Sequence, residues 1–210
     1  MQGRAASRGV MESESAVEGA AAVCSALLQR VQGDEGGRGI SAFTSPVAGD
    51  LLEAAGHLAR GSGLVVILTG FPCLLECSPP TETDGPAGAL AVARACCALG
   101  RRVVIATDEA NAEVVMSAAA GCGVPGRLLS LEAFPPATGG QWGPEEDGRL
   151  QELSRRASAI VAVERPGPAA DGVCYTMRGR DMSAVLAPLH RLLLPPPEGL
   201  RPPPPKHGTN

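Results

Sequence analysis

Apolar residues along the chain follow two different rhythms. Val17, Ala21, Cys24, Leu27, Leu28 and Val31 recur at steps of three and four, the spacing of one helix face, and predict an amphipathic helix that stops at the glycines Gly33, Gly36, Gly37 and Gly39. A second helix is predicted from Pro46 to Arg60, with Ser45 as its N-cap, Pro46 at its first position and Gly61 just past its end. The rhythm then changes. "LVVILT" (Leu64 to Thr69), "VVIAT" (Val103 to Thr107) and "IVAVE" (Ile160 to Glu164) are short, continuously apolar and rich in β-branched residues, as strands covered on both faces are. Helical patterns at Pro86 to Leu99, Asn111 to Ala120 and Glu145 to Ala157 separate them, and "RLLSL" (Arg127 to Leu131) offers a further strand. This alternation predicts an α/β fold, a layered domain with a mainly parallel sheet flanked by helices. Residues 132–144 read as a surface loop, and a last helix is expected from Met182 to Leu194. The expected organisation is a flexible N-terminus (1–16), one α/β domain (17–194) and a proline-rich tail (195–210) that does not pack.

Composition narrows the chemistry. The chain has 210 residues, 44% of them hydrophobic, enough for a packed core. Its aromatic residues are Phe43, Phe71, Phe134, Trp142 and Tyr175 alone, too few for a base-stacking platform. The formal charge of -4, with no basic stripe, argues against a nucleic-acid partner. All of the basic residues except Lys206 are Arg, which excludes a P-loop and a lysine Schiff base from the folded part. Seven Cys, with Cys96 and Cys97 adjacent, fit a reducing compartment better than a disulfide framework. No segment approaches the length of a membrane span, so no membrane is expected as a partner. Arg4 and Arg8 precede Glu12, Glu14 and Glu18, a weak organelle-targeting pattern. Pro202 to Pro205 has PxxP spacing but lacks a correctly placed basic residue.

In open parallel sheets ligands bind beyond the carboxyl ends of the strands, so the residues after each apolar run matter most. The first run is followed by "GFPCLLECSPPTETDGP", a connection of about sixteen residues where such loops usually take two to six. After the second come Asp108, Glu109 and Asn111, and the third closes on Glu164, Arg165 and Pro166. A rim carrying Glu82, Asp84, Asp108 and Glu164 opposite Arg165 suits a small zwitterion, or a divalent ion with a carboxylate substrate. The plainer alternatives are that Asp84 caps the helix entered at Pro86 and that Arg165 pairs with a neighbouring acid. "GCGVPG" (Gly121 to Gly126) has the letters of a dinucleotide loop in the reverse context, helix before strand, and reads as a turn. Cys73 and Cys77 have no partner among His57, His190 and His207 at zinc-ligand spacing, and no local base activates them.

The stretch "TGFPCLLECSPPTETDGPAGALAVARACCALGRRVVIATDEAN", together with "GGRGI" at Gly36 to Ile40 and "VERPGPAADGVCYTMRGRDMS" at Val163 to Ser183, resembles the C-terminal domain of the D-glutamate cyclase family. The matching stretches run from about Cys24 to Leu194. The resemblance implies cyclisation of D-glutamate to 5-oxo-D-proline and water, in mitochondria for animal members, with a cytoplasmic location as the alternative. By position it implies Glu82 or Asp84 at the amine or a metal, Glu164 as a second acid-base group or metal ligand, and Arg165 at a carboxylate. Thr83 and Gly85 would line the substrate, and Arg178 is an alternative anchor. No cofactor is established by it; a divalent metal held by Asp84 or Asp108 stays open, as does the oligomeric state. The family's glycine-rich acidic continuation and its separate N-terminal domain are not found, so a truncated form is expected. The rival readings are a racemase or isomerase acting through Cys73 and Cys77, and a ligand-binding or regulatory form without chemistry.

Overall fold

The computed structural model describes residues 3–37, 39–44, 47, 49–124, 126–137 and 141–194, with the side chains of 3–15, 41 and 44 left aside. The predicted tail at 195–210, its PxxP motif and the Ser45–Pro46 cap lie outside the described residues. The chain divides into two compact units, Met1–Gly61 and Ser62–Asn210.

In the first unit, α1 (Gly3–Val31) contains the predicted apolar repeat and starts well ahead of it, inside the stretch expected to be flexible. That stretch has no proline and is rich in Ala, Arg, Glu and Met, all good helix formers. A single turn, α2 (Ser41–Thr44), precedes α3 (Asp50–Arg60). The second predicted helix is therefore shorter than expected at its start, with Gly49 as its N-cap, while Gly61 ends it as expected by donating to the His57 carbonyl at 2.9 Å.

The second unit holds a four-stranded sheet in the order β3-β2-β1-β4, parallel throughout: β1 (Leu64–Thr69), β2 (Arg102–Asp108), β3 (Leu129–Phe134) and β4 (Ala157–Val163). Between them run α4 (Asp84–Ala98), α5 (Glu109–Gly121) and α6 (Pro144–Arg156). β1 is buried at every position, as its unbroken apolar run requires of a central strand covered on both faces. On one face Leu64, Val66, Leu68, Val104 and Ala106 pack with Phe134, with Leu150 and Leu153 of α6, and with Leu189 and Leu192. α4 and α5 contact the sheet as well. At the amino ends of the strands Arg101 donates to Ser158 Oγ at 2.7 Å, and Ser158 donates to the Leu64 carbonyl at 2.8 Å, closing that end with polar side chains.

Three expectations need correction. The strand expected at Arg127 to Leu131 is β3, shifted to Leu129–Phe134, because parallel pairing with β2 continues through Ala106↔Glu132 and Asp108↔Phe134. The expected loop at 132–144 thus begins only after Phe134. The helix expected from Met182 to Leu194 is instead a turn followed by a 3₁₀ helix, Leu189–Leu193. Pro188 has no N–H to donate, and the N–H of Ala187 is drawn to the Asp108 carboxylate at 2.6 Å, so helical bonding cannot start earlier.

Candidate functional site

The strand order reverses beside β1: β2 and β3 build out on one side, and β4 is laid on the other. At such a switch point the connections leave the sheet in opposite directions and open a crevice at the strand ends. β1 and β4 finish there side by side, with Thr69 opposite Val163, and the next residues are Gly70 and Glu164.

One polar cluster at this rim is a closed knot. Arg165 grips Asp108 in a bidentate fork, Nη1 to Oδ2 at 2.5 Å and Nη2 to Oδ1 at 2.8 Å. The same nitrogens donate to the carbonyls of Gly70 at 3.3 Å and Ala187 at 2.5 Å. Asp108 also accepts from Asn111 Nδ2 at 2.8 Å and from the Ala187 N–H. The two charged side chains are 2% and 0% exposed. A pair so buried persists only when its remaining donors and acceptors are also met, as they nearly are here. Thr107 Oγ1 donates to the Thr69 carbonyl at 2.9 Å. Gly70, at φ +106°, fits this knot because a Cβ there would lie 2.4 Å from Asn111 Nδ2. The sequence reading offered Arg165 to a substrate carboxylate and Asp108 to a metal. In the structure the Arg165 fork and the Asp108 carboxylate are filled by each other, by Asn111 and by the backbone.

A second cluster lies at the start of α4. Asp84 is the first helical residue rather than a cap before Pro86; the N-cap is Thr83, exposed and making no side-chain capping bond. Asp84 Oδ1 accepts from the Gly85 N–H at 3.2 Å. Gly85 is buried so tightly that a Cβ would stand 2.8 Å from Glu164 Cβ and 3.1 Å from Thr69 Oγ1. Gly85 therefore brings the α4 N-terminus, Thr69 and Glu164 together at the crevice. Carboxylates gather favourably at a helix N-terminus, where the unpaired N–H groups carry partial positive charge. Glu164 is exposed and has φ +46°, a left-handed conformation that side-chain-bearing residues rarely adopt.

Three buried atoms around this rim have no hydrogen-bond partner: Thr69 Oγ1, Asn111 Oδ1 and Arg165 Nε. The long β1–α4 loop is pinned from both sides. Phe71 and Leu75 pack against Cys174, Met182 and Leu186, Arg180 pairs with Glu76 at 2.5 Å, and the Leu74 N–H donates to the Pro80 carbonyl at 2.8 Å. Within the loop, Glu82 accepts from the Cys73 thiol at 3.4 Å. Burial, that hydrogen bond and the Glu82 charge push the Cys73 thiol up, so it is held protonated.

Of the predicted site residues, the structure joins Asp84, Gly85 and Glu164 at the α4 start, with Thr83 beside them. It places Glu82 on the loop leading in, and Asp108 with Arg165 in the neighbouring knot. Arg178 is exposed in the turn between Tyr175 and Asp181, which form an antiparallel bridge. Among the described residues no group of three or more His, Cys, Asp or Glu is arranged to hold a metal ion. A cavity of about 280 Å³ between α5 and β3, lined by Ile105, Val115, Met116, Leu129 and Leu131, contains none of the predicted site residues. The buried hydroxyl of Thr69 was not singled out as a site group from the sequence, although a polar residue closing an otherwise apolar strand is a readable signal. The sequence reading has Asn111 after the second apolar run, and its place in the knot follows from α5 starting at Glu109.

Known proteins place this rim in a family. Residues 27–198 match the family described as D-glutamate cyclase-like, C-terminal. Over 170 residues the chain is 31% identical to a human protein named D-glutamate cyclase, mitochondrial, an alignment covering 77% of this chain and 26% of that protein. The chain thus spans about a quarter of the length of this curated relative. Because the match takes in all four strands, the long loop after β1 and both polar clusters, the chain belongs to the D-glutamate cyclase-like C-terminal family.

Proposed function

We propose that this chain binds D-glutamate at the β1–β4 crevice and cyclises it to 5-oxo-D-proline. The single observation that carries the reading is the meeting of Asp84, Glu164 and a partnerless Thr69 hydroxyl around Gly85, in a chain of this family. The reaction joins the α-nitrogen to the side-chain carboxyl carbon and breaks one C–O bond there. The ammonium group gives up two protons, which leave with that oxygen as water, and the lactam keeps one N–H. A base must take the first ammonium proton, and an acid must return a proton to the departing oxygen. We assign those roles to Asp84 and Glu164, whose backbones meet at Gly85 near the partial positive charge of the α4 N-terminus. Pro86 has no N–H and the Gly85 N–H is held by Asp84, so the Thr69 hydroxyl, with the positive end of the α4 dipole, would carry the negative charge that builds on the carboxyl oxygen. The ordered loop after β1 would hold the five ring atoms together and keep water out.

The rival that uses Cys73 and Cys77 for racemisation fits less well, since a thiol acting as base must be available as thiolate and Cys73 is held protonated beside Glu82. By its relative's name the protein would work in mitochondria. The test is incubation of the purified chain with D- and L-glutamate, followed by chiral detection of 5-oxoproline. Expected is 5-oxo-D-proline from D-glutamate, lost in Glu164→Gln and in Asp84→Asn. Ligand-induced thermal stabilisation without product would favour the regulatory reading instead.

A further inference from the structure

We infer that the Thr69 hydroxyl is a substrate-binding group, donating a hydrogen bond to a carboxylate seated on the first turn of α4. The inference deepens the D-glutamate reading and rests on it for the identity of the ligand. Thr69 is 0% exposed, and its Oγ1 has no partner. A buried hydroxyl without a partner costs stability, and a polar group kept in that condition at a strand end needs a reason. Its neighbour Thr107 shows the ordinary solution, donating to the Thr69 carbonyl at 2.9 Å. Thr69 Oγ1 points instead toward Gly85, 3.1 Å from where a Cβ would be, in the first turn of a fifteen-residue helix whose N-cap makes no side-chain capping bond. Pro86 brings no N–H to this turn and the Gly85 N–H is held by Asp84, so the Thr69 hydroxyl is the donor placed to meet an anionic oxygen at the positive end of the α4 dipole.

The hydroxyl is covered in this state, and both it and Glu164 lie beside Gly85. Glu164 follows Val163, which pairs with Thr69 across β1 and β4. It is exposed, its carboxylate has no partner among the described residues, and its backbone is held at φ +46°. A ligand reaches the hydroxyl only when its cover moves, and we take the strained, exposed Glu164 as the neighbour that moves. The ligand class is a small carboxylate: the side-chain or α-carboxylate of glutamate, or a dicarboxylate that lacks the amine.

The experiment compares the full chain with Thr69→Val and Thr69→Ser, titrating D-glutamate and glutarate by calorimetry while recording the thermal midpoint and 5-oxoproline formation. Valine copies the shape of threonine without the hydroxyl. Expected is a rise in Kd for both ligands on the order of tenfold to a hundredfold in Thr69→Val, with its thermal midpoint equal to or above that of the parent. Thr69→Ser should restore binding to within a few-fold. Should Thr69→Val fold poorly, Thr69→Ala against Thr69→Ser gives the same comparison of hydroxyl absent and present. Unchanged affinity in a folded variant without the hydroxyl overturns the inference, and unchanged turnover there leaves the cyclase reading standing without it. Ligand binding that depends on the hydroxyl but yields no 5-oxoproline keeps the inference and removes the cyclase reading. No binding of either ligand to the parent chain overturns both.

Discussion

Glu164 carries a cost that its surroundings do not explain structurally. At φ +46° its Cβ crowds the backbone, and residues held in such regions are strained by about 1–3 kcal/mol. Glycine relieves that strain. Glu164→Gly should therefore raise unfolding stability by about 1 kcal/mol, read as a higher urea midpoint, while 5-oxoproline formation collapses. A lower midpoint would show that the side chain contributes more to folding than its conformation costs. The acids at strand ends were readable because polar residues interrupt apolar runs at 69–70, 108 and 164. The sorting of those acids was not. Arg165 and Asp108 are far apart in sequence, and whether they meet on the surface or inside depends on β4 lying beyond β1 while β2 lies on its other side, an order that periodicity does not encode.

That order makes Asp108 a junction between elements. It ends β2, precedes α5, holds Arg165 just past β4 and fixes the Ala187 N–H ahead of the 3₁₀ helix. Removing its charge leaves the Arg165 guanidinium buried without a counter-ion, the arrangement in which a broken buried pair costs most. Asp108→Asn should lower unfolding free energy by about 3–5 kcal/mol, and amide exchange should accelerate first across 182–194, whose anchor to the sheet it is. A loss below about 1 kcal/mol would mean that the knot contributes orientation and little stability. The same junction explains which elements the sequence revealed. The strands β1, β2 and β4 announced themselves as unbroken apolar runs and the helices α4, α5 and α6 as the helical patterns between them, because both are set by the layers they pack between. The 182–194 segment carries a helix-like spacing at Met182, Leu186, Leu189 and Leu192, all buried, yet Pro188 and the pull of Asp108 on Ala187 divide it. Tertiary hydrogen bonding overrode local pattern there, and no reading of spacing alone contains that competition.

The acid response of the sheet-bearing unit follows from the basic group placed near this junction. His190 lies in the 3₁₀ helix, and three influences lower its proton affinity: burial first, then the Arg165 charge, then the Arg191 charge. Arg191 is itself paired with Asp147 at 2.7 Å, and Arg165 with Asp108, yet both still disfavour a further cation beside them. The folded chain thus binds this proton less readily than the unfolded chain, where histidine titrates near about 6.5. As pH falls below that value the unfolded state takes up the proton first, and stability decreases until the folded state is protonated too. Above it the group contributes no pH dependence. Asp171 and Asp181 are shifted the same way for a different reason, their charged forms being favoured: hydrogen bonds from the Val173 N–H and Tyr175 hydroxyl, and from Ser183, hold their carboxyls below the ordinary range. Their stabilisation is present above the unfolded carboxylate value and is lost only in stronger acid, and both are fully exposed. The two ranges separate the sources. His190→Gln should flatten the fall in urea midpoint between about pH 7 and pH 5.5 and leave the steeper loss near pH 4 in place. An unchanged slope in the upper range would assign that fall to other groups and show that the arginines beside His190 are screened by Asp108 and Asp147.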